Sequence, residues 1–201
     1  MKRELKKLLF CIILTGCMQA CQDELYVNLG NARYSKEVMD AKAWYETNRQ
    51  EESLFISRGI NLSPLEAKPD WERTTVSSDD KQRVVEANLY MKGILLFALP
   101  ETKQEFDRTG DERYQYASSY TRLVIRTKLE NGVTDGFLMS VVSSPEFLRL
   151  TNFKPFDKVG YIHRDKRFTG HVKYHNLEGE FVNGWVYKNG KITSSLRPLK
   201  K

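Results

Sequence analysis

The residues of this chain that first suggest chemistry are its three histidines, which all lie between positions 163 and 175. Imidazole binds zinc, so His163, His171 and His175 form a candidate metal site. However, His171 and His175 lie four residues apart in a segment that alternates apolar and polar residues, a pattern typical of a β-strand. Their side chains would share one strand face roughly 13 Å apart, too far to bind one ion. The sequence therefore predicts no metal and no cofactor.

The same segment is rich in positive charge and contains the candidate ligand-binding residues. They are His163, Arg164, Lys166, Arg167, His171, Lys173 and His175. Such a cluster could bind an acidic glycan, a lipid headgroup or a protein partner. The alternative is a solvated face of an edge strand, whose charges prevent pairing with other chains. We favour this alternative, in which His171, Lys173 and His175 point away from the core.

No catalytic motif accompanies these residues in the sequence. Neither G-x-S-x-G nor a phosphate-binding glycine loop occurs. The S-x-x-K match at residues 78–81 lacks its companion motifs, and Glu178 and Glu180 flank a turn glycine, where water would solvate both carboxylates. The sequence thus favours a non-catalytic binding module. A glycan- or peptide-directed hydrolase with a site assembled across loops remains an alternative.

Aromatic side chains offer another route to ligand binding, since Trp71, Tyr174, Trp185 and Tyr187 could stack on sugar rings. Strand alternation, however, places Phe181, Trp185 and Tyr187 on one face, which favours a core. One helix on an antiparallel sheet also suggests a protease-inhibitor-like module by analogy with cystatin-like folds, although a Q-x-V-x-G loop is absent.

The net charge of the chain argues against a nucleic-acid partner. The formal charge is +6, and half of it lies in the first 16 residues, which hold four basic residues and one acidic residue. The remaining excess is too small to indicate binding to a polyanion.

The N-terminus has the organisation of a bacterial export signal. Basic residues precede the apolar stretch Leu8–Leu14, which is too short to span a bilayer. Leu14-Thr15-Gly16-Cys17 follows and resembles the lipobox of bacterial lipoproteins. The resemblance implies that residues 1–16 are a signal peptide and that Cys17 becomes lipidated. Several acyl chains anchor a protein stably, so a membrane is an expected partner.

The residues after Cys17 bear on the destination of the chain. Met18, in place of Asp, resembles the outer-membrane sorting pattern, and Gln22-Asp23-Glu24 resembles the acidic stretch that directs Bacteroidota lipoproteins to the cell surface. The resemblance implies an outer-membrane protein, facing the periplasm or, preferably, the surface. Cys21 is left as a single cysteine, so no internal disulfide is expected.

Residues 17–34 lack apolar periodicity and are predicted to be a tether, followed by a single α+β domain over residues 35–197. Its main helix is predicted over about 36–50, with Ser35 as N-cap, and a short helix from Pro145 to about Leu150. The stretch 51–82 is interpreted as turns, and the stretch 100–118 as a long exposed loop that could include a helical turn.

The rest of the domain is predicted to be an antiparallel β-meander of about six to eight strands, against which the main helix packs. Residue alternation and turn signals indicate strands at 85–91, 94–99, 123–129, 137–141, 168–174, 181–187 and 191–193.

Four segments combine aromatic residues, glycines and turns: Ala43-Trp44-Tyr45, Pro69-Asp70-Trp71, Arg122-Leu123-Val124-Ile125 and the meander from Phe168 to Ile192. Near the C-terminus they include F-x-G-x-V-x-Y and G-W-x-Y-x-x-G-K-I. Over most of residues 35–193, this pattern resembles a family of uncharacterised Bacteroidota lipoproteins. The resemblance implies a lipid-anchored envelope protein and no particular activity, because the shared residues are structural.

Overall fold

A single antiparallel sheet organises the domain, in a computed structural model that describes residues 34–49, 67–91 and 97–198. Its seven strands are hydrogen-bonded in chain order, which is a meander. They are β1 Ala67–Ser78, β2 Gln82–Met91, β3 Ser119–Lys128, β4 Thr134–Ser143, β5 Gly170–His175, β6 Phe181–Lys188 and β7 Lys191–Leu196. The predicted α+β class and strand number are confirmed.

Within these ranges, four α-helices accompany the sheet, and a 3-10 turn spans Pro155–Asp157. The helices are α1 Lys36–Asn48, α2 Pro100–Thr109, α3 Arg113–Tyr116 and α4 Pro145–Leu150. Within the described ranges, none of them has the length and apolar character needed to cross a bilayer.

Helix α1 begins as predicted, because the Ser35 hydroxyl accepts a hydrogen bond from the amide of Val38. Val38, Ala41 and Tyr45 recur at helical spacing and are buried against the sheet. The predicted Ser144 N-cap of α4 is also confirmed, since its hydroxyl accepts from the amide of Phe147. Local side-chain chemistry therefore determines where both helices start.

The central strands of the sheet are buried on both faces, as the consecutive buried residues of β3 and β4 show. Successive side chains of a strand point in opposite directions, so each of these strands contributes to two layers. Val85, Leu123 and Leu138 pack against α1, and we call this side the helix face. Val84 and Val124 lie on the opposite side, together with buried residues of the segment 144–169. We call this side the loop face, since that segment contains only α4 and the 3-10 turn as regular structure.

Strand β1 was not predicted, because Pro69 and the following polar residues indicated turns. Pro69 is tolerated because β1 is at the edge of the sheet, where one row of amides needs no partner. A register shift between Asp70 and Thr74 interrupts the ladder, and Asp70 accepts hydrogen bonds there from the amides of Glu72 and Arg73. The predicted turn at residues 77–80 overlaps the end of β1, and Asp79 closes the hairpin to β2.

The prediction of a loop over residues 100–118 is wrong, since α2 and α3 occupy most of the stretch. The predicted exposure is confirmed for most of its residues. Pro100 is at the start of α2, and Gly110 ends the helix in the left-handed conformation, with φ of 66°. The buried Thr102 hydroxyl donates to the Ser143 carbonyl, which ties α2 to the sheet. Of the strand predicted at 94–99, residues 97–99 are irregular, and residues 94–96 lie outside the described ranges.

The C-terminal meander agrees with the prediction in all its strands. Asn189 and Gly190 both have positive φ, 49° and 72°, as a two-residue hairpin turn requires. One detail differs: a register shift next to His175 places Phe181 opposite His175. Phe181 therefore lies on the helix face, whereas Trp185 and Tyr187 lie on the loop face.

Candidate functional site

The structure divides the seven predicted ligand-binding residues between the two sides of the sheet. His163, Arg164, Lys166 and Arg167 belong to the segment 144–169 that covers the loop face. His171, Lys173 and His175 pair with Val142, Ser140 and Leu138 in the register of β4 and β5. Leu138 packs under α1, so this row of three points to the helix face. The seven residues do not form one basic patch.

The residues over the loop face are held mainly by contacts within the domain. Arg164 donates to the hydroxyl of Tyr174 and lies 5.2 Å from the centre of the Tyr187 ring. Arg167 forms a bidentate pair with Asp165, and this guanidinium lowers the pKa of the Asp165 carboxyl to about 2. His163 and Lys166 are exposed. Structural roles therefore account for the two arginines.

The expectation that the row in β5 is solvated is wrong for His175. Its side chain is only 8% exposed and contacts the Phe181 ring, and burial lowers its pKa to about 4. Lys173 and His171 are partly buried, and burial lowers both pKa values. The Lys173 ammonium lies 4.7 Å from the centre of the Phe97 ring. Alternation alone did not reveal the burial, because this sheet is covered on both faces.

Among the described residues, no three histidines, cysteines or acidic side chains are grouped closely enough to hold a metal ion. Of the aromatic residues considered for sugar stacking, Trp71 packs on Tyr45, while Tyr174 and Tyr187 pack in the core of the loop face. Trp185 is 36% exposed on β6. These residues do not form a shared platform.

A cleft of about 400 Å³ lies instead where the start of β3 meets the segment after α4. Its walls are mainly apolar, and four aromatic rings contribute to them. The lining residues are Arg113, Tyr116, Ala117, Ser119, Tyr120, Asn152, Phe153, Lys154, Pro155 and Phe156. Its volume falls within the range of small-molecule sites, and the cleft is open to solvent on one side. We call it the aromatic cleft.

The wall of the aromatic cleft contains an unusual backbone conformation. After α4, Asn152 has a φ of 49°, and the Phe153 amide donates to the Leu148 carbonyl, as in many helix ends. Asparagine is common in this left-handed position. Phe153, however, also has a positive φ, 58°, which is rare for a bulky side chain and costs free energy. The surrounding contacts must therefore hold it there.

Those contacts fix the Phe153 ring between two side chains of α3. The ring packs edge-to-face on Tyr114 with 5.0 Å between centroids. The Arg113 guanidinium carbon lies 4.3 Å from the Phe153 ring centre, within the range of a cation–π interaction. The Asp111 carboxylate in turn accepts from two nitrogens of Arg113. The helix in the stretch predicted to be a loop thus positions one side of the cleft.

A buried polar network fixes the other side of the cleft. The Tyr120 hydroxyl donates to the Val159 carbonyl at 2.7 Å, and burial raises the pKa of Tyr120. Arg122 pairs with buried Glu86 and donates to the Phe156 carbonyl. The second Glu86 oxygen accepts from the amide of Tyr161 at 2.9 Å. These bonds hold the segment 155–161 against β2 and β3.

The charged residues that line the aromatic cleft are both cationic. They are Arg113 and Lys154, and among the described residues no carboxylate lines the cleft. Asp111 offsets most of the Arg113 charge, whereas Lys154 is exposed and has no ion pair within the described ranges. Tyr116 and Phe156 are the exposed aromatic residues at the cleft, with Tyr116 63% exposed.

This cleft was not predicted from the sequence, because its lining comes from two segments, 113–120 and 152–156, that only the fold brings together. A usable signal was present: Tyr114, Tyr116 and Tyr120 lie within seven positions, and Phe153 and Phe156 follow a short predicted helix.

Comparisons of the chain with protein-family models, with curated proteins and with solved structures give no match. The likeness to Bacteroidota lipoproteins therefore stays a prediction.

Proposed function

We propose that this chain is a lipoprotein of the cell envelope whose domain is a non-catalytic binding module, with the aromatic cleft as its ligand site. Lipid on Cys17 would hold it in the outer membrane, with residues 17–34 as the tether. The membrane part of the proposal is supported by the lipobox-like residues 14–17 and the short apolar stretch before them.

The binding part of the proposal depends on one observation, the strained Phe153 in the wall of an apolar cleft. A backbone strain at a bulky residue persists only where its surroundings hold it, and such residues cluster at functional sites. Here Arg113 and Tyr114 hold the Phe153 ring. On the other side of the cleft, Arg122 of the buried ion pair holds the Phe156 carbonyl. The cleft is thus preorganised, which lowers the entropic cost of binding.

The anchor is tested by fractionating cells that express the wild type, Cys17→Ala or Cys21→Ala. We expect Cys17→Ala alone to leave the membrane fraction, because Cys21 follows a polar Gln19, where a lipobox needs a small residue. Membrane retention of Cys17→Ala would contradict the anchor. Labelling of intact cells with an impermeant amine reagent then separates a surface from a periplasmic location.

Ligand binding is tested by saturation-transfer NMR on the chain of residues 17–201 carrying Cys17→Ala, which needs no detergent. The library contains small aromatic and aliphatic acids, their amides, and sugars. We expect at least one class to bind and to lose its signal in Tyr116→Ala. The matched control is Tyr90→Ala, because Tyr90 is similarly exposed at 60% and lies outside the cleft. Signals that Tyr116→Ala leaves unchanged would contradict the assignment of the cleft.

Among the described residues, no arrangement specifically favours the hydrolase or the protease-inhibitor alternative over the binding module.

A further inference from the structure

We infer that the aromatic cleft binds a small amphipathic anion: an apolar ring or short chain that bears one acidic group. This inference rests on the proposed function and specifies the ligand class for the same site. It follows from the character of the walls, from the charges at the cleft and from the way one of these charges is held.

The walls determine the body of the ligand. Tyr120, Phe153, Pro155 and Phe156 present ring surfaces, and few polar atoms face the space between them. A neutral sugar carries hydroxyls around its whole ring and would lose hydrogen bonds to water there without replacement. An apolar ring or chain loses none and gains contact with the aromatic faces.

The charges determine the other end of the ligand. Lys154 is an exposed cation that has no ion pair within the described ranges, and the described lining contains no carboxylate. A positive cleft lined by low-dielectric walls attracts an anion and disfavours a cation. An acidic group placed near Lys154 would therefore find an opposite charge.

Arg113 adds a second donor with a fixed direction. Its Nε and Nη2 atoms donate to Asp111, and its guanidinium lies on the Phe153 ring. No hydrogen bond from Nη1 forms within the described residues, so Nη1 is available to an acid oxygen. Because arginine is planar and held on two sides, little side-chain entropy remains to be lost on binding.

The test uses pairs of probes that differ only in charge, namely 2-naphthoate with 2-naphthamide and octanoate with octanamide. Dissociation constants are measured by NMR titration on the chain of residues 17–201 carrying Cys17→Ala. We expect each acid to bind about three- to tenfold more tightly than its amide at low salt, with the difference shrinking as salt is added.

Lys154→Gln should reduce this preference about two- to fivefold, whereas Lys154→Arg should retain it. Lys166→Gln is the matched control, since Lys166 is equally exposed and outside the cleft. An unchanged near-UV circular dichroism spectrum would show that each variant folds.

The outcomes separate this inference from the proposed function. If acids and amides bind equally and both lose binding in Tyr116→Ala, the cleft is a ligand site and the inferred charge preference is wrong. Preferential binding of sugars would overturn the inference in the same way. If no class of probe responds to Tyr116→Ala, the assignment of the cleft fails as well.

Discussion

The two faces of the sheet are covered by different means. On the helix face, α1 is held mainly by apolar contacts, and its ion pair to the sheet, Glu37 to Arg83 at 3.7 Å, is partly exposed. On the loop face, buried polar groups hold a segment of mostly irregular backbone. Glu86, Arg122 and Tyr120 reach it from β2 and β3.

This difference follows from what each cover must satisfy. A helix bonds most of its own amides and carbonyls, so α1 needs only an apolar stripe. The segment 155–161 leaves carbonyls and amides that would be buried without partners, and the sheet must supply them. The loop face consequently needs more buried hydrogen-bond partners than the helix face. The aromatic cleft lies beside it.

The largest loss of stability is expected on the loop face, when one partner of its buried ion pair is removed. Arg122→Met leaves the Glu86 carboxylate buried without its cation, and we expect a loss of about 3–5 kcal/mol in the free energy of unfolding. Urea unfolding measures the loss. The comparison on the helix face is Glu37→Gln, for which we expect less than about 1 kcal/mol.

Removing both charges should restore most of that stability. Glu86→Gln combined with Arg122→Met keeps an oxygen for the Tyr161 amide and leaves no unpaired charge. If the double variant is as unstable as Arg122→Met alone, the cost comes from lost packing and from the Phe156 carbonyl that loses its donor, and the unpaired charge contributes little.

On the helix face, we expect added side-chain volume to reduce stability more than the loss of a charge. A Cβ added at Gly136 would lie 2.4 Å from Cζ3 of Trp44, beneath α1, and 2.9 Å from Cδ1 of Ile125. We expect Gly136→Ala to cost about 1–3 kcal/mol in urea unfolding, because the Trp44 ring must be displaced, alone or together with α1. Adding Trp44→Leu should recover part of this cost. A loss that Trp44→Leu leaves unchanged would place the strain within the sheet.

The sequence was sufficient to predict those features that depend on nearby residues. The cap at Ser35, the cap at Ser144 and the turn at Asn189-Gly190 all follow from side chains within a few positions. The C-terminal strands follow from alternation and turn residues. Such features need no knowledge of which segments meet in the fold.

The features that depend on distant contacts could not be predicted. Pro69 is compatible with a strand only because β1 is at an edge, and His175 is buried because the helix face is covered. The aromatic cleft joins residues 113–120 to residues 152–156, and the structure shows that a buried network holds them together. The alternation of apolar and polar residues does not show which distant segments contact each other.

The buried histidine gives the helix face its own pH dependence. His175 has a pKa of about 4 when folded, because burial disfavours its charged form, against about 6.5 when unfolded. Between these values the unfolded state binds more protons, so stability falls as the pH is lowered, by up to about 1.4 kcal/mol per pH unit.

His171 contributes in the same direction, since its pKa is also lowered by burial. In His175→Leu, the urea midpoint should therefore depend less steeply on pH between pH 6.5 and pH 4. Part of the slope should remain, because His171 is still present. An unchanged slope in His175→Leu would show that this histidine is not buried in solution.

The smallest predicted change in stability measures the backbone strain at Phe153, in the wall of the aromatic cleft. Replacing Phe153 with Ala or with Gly removes the same contacts to Tyr114 and Arg113, so packing contributes almost equally to both variants. Glycine adopts a positive φ at no steric cost, whereas alanine does not. We therefore expect Phe153→Gly to be about 1 kcal/mol more stable than Phe153→Ala in urea unfolding, the reverse of their order in a helix. Equal stabilities would mean that residue 153 relaxes to a negative φ once the ring is gone. In that case the Phe153 ring itself imposes the left-handed backbone, and the preorganisation of the aromatic cleft depends on that one side chain.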